Sequence, residues 1–67
     1  MALQLISNGS WYGSYHGRAA MIRPNPDGTW RVKVNDPADR SAGHDGWVLL
    51  GSDYASVDAA VAATGVN

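Results

Sequence analysis

The sequence predicts an α+β domain: an antiparallel sheet of three strands, or four if the first residues join it, with one C-terminal helix packed on one face. Three observations predict it. Asn25-Pro26-Asp27-Gly28 is a turn sequence that feeds the alternating segment Thr29-Trp30-Arg31-Val32-Lys33-Val34-Asn35. A short apolar run, Trp47-Val48-Leu49-Leu50, follows a polar connector. The apolar period then changes from two to nearly four in the alanine-rich stretch from Ser56 to Thr64.

Residues 1–17 are assigned as an N-terminal arm or first strand followed by a glycine- and aromatic-rich loop, and residues 18–67 as a single β-β-β-α domain. Leu3, Leu5 and Ile6 give a short apolar start with partial alternation. Ser7 to Gly17 mixes small polar residues with Trp11, Tyr12 and Tyr15, and should be a loop or an irregular strand. Trp11 and Tyr15 share one face of an extended chain.

Arg18 to Arg23 reads as a strand with Ala20 and Ile22 on one side, Met21 and Arg23 on the other. Pro24 has no donor for a ladder, so it ends the strand or lies at an edge. Asn25 to Gly28 fits a type I turn. Asn bonds the backbone, Pro presets its torsion, and Gly follows with a positive φ, which adds a bulge. In the next strand Trp30, Val32 and Val34 should join Ala20 and Ile22 beneath the helix, leaving Arg31 and Lys33 on the other face. Asp36 to Gly46 is a long polar connector, and Gly51-Ser52-Asp53 is expected to punctuate the strand begun at Trp47. Met21 and Leu50, with Val48, would give the face away from the helix an apolar strip. Ser56 suits a helix N-cap, Asp58 the first turn, and Gly65 a left-handed C-cap. Val57, Ala60, Val61 and Thr64 form the face that meets the sheet.

Composition bounds the function. A chain of 67 residues makes one domain. It buries roughly 60% of the surface that its unfolded form exposes, so its core is small. With no cysteine, disulfides and thiolate zinc sites are excluded. Five Lys and Arg against six Asp leave a net charge of −1, which excludes a generally basic nucleic-acid glue but not a local patch. No apolar run approaches the roughly 20 residues that span a bilayer. The start, Met1 to Ile6, has no basic flank and is too short and polar for a secretory signal, so a cytoplasmic protein is expected.

Asp27-Gly28-Thr29-Trp30-Arg31-Val32-Lys33-Val34 and Tyr54-Ala55-Ser56-Val57-Asp58-Ala59-Ala60 lie in an order that resembles a recurrent pattern. It is similar to the small sheet-plus-helix domains that precede phage integrase catalytic domains, to the plant AP2-type DNA-binding domain, and to short bacterial domains of β-β-β-α order. The likeness covers roughly residues 19–64. In the DNA-binding members the sheet face away from the helix enters the major groove. That resemblance implies Arg31 and Lys33 as readers here, with Arg23 beside them. The chain departs from the pattern in its slight acidity and in Asp36, Asp39 and Asp45 of the connector.

No catalytic constellation emerges. Ser10, Ser14, Ser41 and Ser52 lack a base and acid at a recognisable spacing. His44-Asp45 occurs in metal phosphohydrolases, but those sites need several more ligands and only His16 remains to add. Gly46 and Gly51 precede no Gly-Lys-Ser/Thr phosphate cradle. The expectation is a non-enzymatic protein-interaction module without cofactor or metal. It would be a phage or mobile-element accessory protein acting on a host protein, or a homodimer. Its contacts would come from Trp11, Tyr12, Tyr15 and Met21. Trp11 has a competing role as an addition to the small core. The alternative function is DNA binding through Arg23, Arg31 and Lys33.

Overall fold

The computed structural model describes residues 3–6, 9–40 and 42–67. Met1, Ala2, Ser7, Asn8 and Ser41, and what was expected of them in the N-terminal segment and the connector, lie outside the described residues. Strands β1 (Gln4–Leu5), β2 (Trp11–Tyr15), β3 (Arg18–Pro24), β4 (Trp30–Asn35) and β5 (Trp47–Tyr54) form one sheet in sequence order, followed by α1 (Val57–Thr64). Every neighbouring pair is antiparallel.

The α+β class is as expected; the strand count is not. Five strands replace the expected three or four, because the glycine- and aromatic-rich segment is the regular strand β2 and carries β1 on its outer side. Two contacts distant in sequence hold it. Leu3 reaches across one face of Gly13, and the C-terminal Asn67 pairs with Ser14. A Cβ on Gly13 would lie 2.6 Å from Leu3 Cδ2 and 2.8 Å from the Asn67 carbonyl oxygen, so only glycine admits this approach.

The β2–β3 hairpin closes through His16 and Gly17, both left-handed (φ 49° and 78°), the conformation that matches strand twist in a two-residue turn. The β3–β4 hairpin closes through Asn25-Pro26-Asp27-Gly28. The Gly28 amide donates to the Asn25 carbonyl at 3.1 Å, and the Asn25 amide to the Thr29 carbonyl at 2.7 Å. Gly28 has φ 90°, so the turn-plus-bulge expectation holds.

Strand β5 runs through Gly51-Ser52-Asp53 instead of stopping there. Two register shifts against β4 absorb the extra residues, one between Trp30 and Val32 and one between Val32 and Lys33, with Asp53 left-handed at φ 64°. Gly51 is needed in this strand because the Tyr54 ring folds back over it; an added Cβ would collide with Tyr54 Oη.

Helix α1 has the expected caps. Ser56 is extended, and its Oγ accepts from the Ala59 amide at 3.0 Å. The Gly65 amide donates to the Val61 carbonyl at 2.8 Å with φ 80°. Eight residues do not hold a helix in water by themselves, so packing must. The packing is a core of Ala20, Ile22, Val32 and Val34 from the sheet, Ala60 from the helix and Val66 beyond it. Small Ala60 lets the helix axis approach closely, and Trp11, Tyr15, Trp30 and Tyr54 close the margins.

Candidate functional site

Because α1 and the C-terminal segment cover one face of the sheet, the pleat decides which side chains remain free. Ile22 and Val32 point into the core, so Met21, Arg23, Arg31 and Lys33 point away from it. On this open face the ladder sets Gln4, Tyr12, Met21, Lys33 and Leu49 side by side, one from each strand. At roughly 4.8 Å per strand the row spans about 19 Å. Leu49 is 55% exposed and Tyr12 42%, while Met21 and Lys33 are half-buried. Trp47 pairs with Asn35 and sits two residues from Leu49 on the same side. Arg23 and Arg31 are directly opposite each other at the other end of β3 and β4.

The cations differ in what holds them. Arg31 Nη1 donates to the Pro24 carbonyl at 3.0 Å and to Asn25 Oδ1 at 2.8 Å. Asn25 is itself fixed by donating from Nδ2 to Thr29 Oγ1 and Ser52 Oγ. The β3–β4 turn therefore orients Arg31 through neutral acceptors. Arg23 Nε is buried without a hydrogen-bond partner among the described residues. The open-face positions of β2, β3 and β4 are Tyr12, Ser14, Ala19, Met21, Arg23, Arg31, Lys33 and Asn35, with no carboxylate among them.

Of the residues singled out in the sequence, the open face gathers Tyr12, Met21, Arg23, Arg31 and Lys33. Trp11 and Tyr15 lie on the other side, packed against the core. Val48 and Leu50 also lie on the helix side, not beside Met21 as expected, because Val48 pairs with Val34 and the bulge keeps Leu50 on that side. Trp47 and Leu49 take their place. The sequence signal for them was alternation within Trp47-Val48-Leu49-Leu50, hidden by the run being apolar on both faces.

The helix side has a second feature. A cavity of about 290 Å³ lies where α1 leaves the sheet uncovered, floored by Tyr15, Val34, Val48 and Leu50. At its rim Arg18 Nη1 lies 3.3 Å from Asp36 Oδ1, within ion-pair range but not aligned as a hydrogen bond. Arg18 is half-exposed, so the pair contributes at most about 1 kcal/mol. Among the described residues no three His, Asp or Glu side chains gather to hold a metal ion. No helix among them is long and apolar enough to cross a membrane.

No protein-family model matches the chain, nor does any curated protein or solved structure.

Proposed function

We propose that the chain is a non-enzymatic protein-interaction module that docks a protein partner on the open face of its sheet. The observation that carries this reading is the row Tyr12–Met21–Lys33–Leu49, continuous across four strands and flanked by Trp47. Tyr, Trp and Met are the side chains that interface cores favour, and one central apolar patch with polar neighbours is how such cores are built. Charge selects the partner. Three cations and no carboxylate occupy the open-face positions of β2, β3 and β4, so two copies stacked face to face would oppose like charges. The fitting partner is a different protein with an apolar, acid-rimmed surface. The setting that goes with this reading is cytoplasmic, an accessory factor of a phage or mobile element acting on a host protein.

DNA binding is the second reading, favoured by the same three cations. A continuous basic stripe would support it. Here Met21 and Leu49 flank Lys33 in the row, so apolar side chains interrupt the cations. The test compares affinity enrichment from cell lysate by the wild-type chain and by Leu49→Ser, with fluorescence polarisation on duplex DNA at low salt. A protein lost on Leu49→Ser with unchanged thermal melting supports the proposal. No Leu49-dependent protein overturns it. Salt-sensitive duplex binding that needs Lys33 installs the second reading instead.

A further inference from the structure

We infer that Arg23 and Arg31 form a carboxylate-receiving subsite on the open face, the seat for an acidic side chain of the protein partner. The inference rests on the reading of that face as the docking surface. Like charges directly across an antiparallel ladder repel, so this pair carries an unfavourable contact that a bridging anion would relieve. Arg31 is prepared for such a role. Both Nη1 bonds go to neutral acceptors of the turn, which leaves the Nε–Nη2 edge of its fork for a carboxylate and fixes its direction beforehand.

Arg23 is the cross-strand partner of Arg31, and its Nε is buried with no hydrogen-bond partner among the described residues. Ser10 directly precedes β2, and continuing the β2–β3 register by one position sets it across from Arg23. Ser10 is only 2% exposed and its Oγ is likewise unpartnered. Buried polar atoms without partners are uncommon, and two of them fall at one end of one sheet face. The two guanidinium forks, not these solvent-closed atoms, are what suit a planar two-oxygen anion. The adjoining Met21 and Leu49 then require that the acidic group belong to a segment that also presents apolar side chains.

The test is an NMR titration of the arginine side-chain Nε–Hε resonances with sodium acetate, against sodium chloride at matched ionic strength. The expected result is a saturating shift of Arg23 and Arg31 with acetate alone, while Arg18 and Arg40 stay still. Arg23→Gln should weaken acetate about tenfold. Arg23→Lys, which keeps the charge and loses the fork, should weaken it too, both variants retaining the wild-type melting temperature. A linear shift shared by all the arginines, or one that chloride reproduces, overturns the subsite. Inorganic phosphate binding far more tightly than acetate, with Lys33 responding, overturns the carboxylate assignment and points to nucleic acid. The two proposals fail separately: Leu49→Ser leaves acetate binding unchanged, and the lysate experiment does not depend on acetate.

Discussion

Ser14 and Asn67 are joined through both of their backbone groups: the Ser14 amide donates to the Asn67 carbonyl at 3.0 Å, and the Asn67 amide to the Ser14 carbonyl at 2.9 Å. The Ser14 hydroxyl also donates to Asn67 Oδ1 at 3.2 Å. The pair occupies the part of the β2 edge that two-residue β1 does not reach, so an otherwise open ladder is closed by the other end of the sequence. It also draws Val66 down into the core.

Gly13 is the position that tests this closure. In Gly13→Ala the new methyl meets Leu3 Cδ2, which can swing aside, and the Asn67 carbonyl, which is backbone and cannot move without opening the Ser14 pair. The expected loss is about 1–3 kcal/mol, in the range of an overpacked core. Urea denaturation measures it, and hydrogen exchange at the Asn67 amide should quicken more than at Val32.

The β3–β4 turn predicts an acid-sensitive term. Asp27 Oδ1 accepts from Thr29 Oγ1 at 2.6 Å and from the Thr29 amide at 3.0 Å, and these bonds, the side-chain one first, hold the carboxyl below its ordinary range. A folded-state value depressed below the unfolded one adds stability that is complete above the unfolded value of about 3.9 and is lost as pH falls through the folded value. Asp27→Asn should remove that part of the acid limb below about pH 4 and leave the slope near neutrality unchanged. Thermal melting across pH 2–7, an interval on the order of that transition, compares the two proteins.

The helix and the β3–β4 hairpin were legible because their signals are local. Ser56, Gly65, Asn25 and Gly28 each state a backbone conformation by themselves. Strand β2 was not legible, since Gly13 and Ser14 read as loop residues until Leu3 and Asn67 are brought beside them. The passage of β5 through Gly51 depends on the Tyr54 ring, which no neighbour in sequence announces. The same division holds at the open face. Alternation alone placed Met21, Arg23, Arg31 and Lys33 there. Trp47 and Leu49 needed the register across β4, which is set by turns in the connector. There Asp36 donates its amide to the Gly46 carbonyl, and Asp45 accepts from the Trp47 amide.

The two caps of α1 should act as independent stabilisers. Ser56→Ala removes the acceptor for the Ala59 amide and should cost about 1 kcal/mol. Gly65→Ala forces a side chain into the left-handed region at φ 80° and should cost about 1–2 kcal/mol. The sites lie at opposite ends of the helix and share no partner, so the double variant should show the sum within about 0.5 kcal/mol. A markedly smaller sum would mean that α1 frays as one unit once either end is lost. Chemical denaturation of the three variants decides this.

Trp11 and Leu49 separate packing from docking. Trp11 is half-buried and packs on the core, so Trp11→Ala should cost about 2–3 kcal/mol, below the ~3–5 kcal/mol of a fully buried tryptophan. Leu49 is 55% exposed on the open face, so Leu49→Ser should stay within about 0.5 kcal/mol of wild type. The double variant with Tyr12→Ser should be equally stable, because the hydroxyl-bearing ring is 42% exposed and makes no part of the core. If the open face is the docking surface, the two changes on that face abolish partner enrichment at full stability, whereas Trp11→Ala lowers enrichment only in proportion to the unfolded fraction. A Leu49→Ser protein that melts several degrees lower would place Leu49 in the fold's own packing and remove the central contact from the proposed interface.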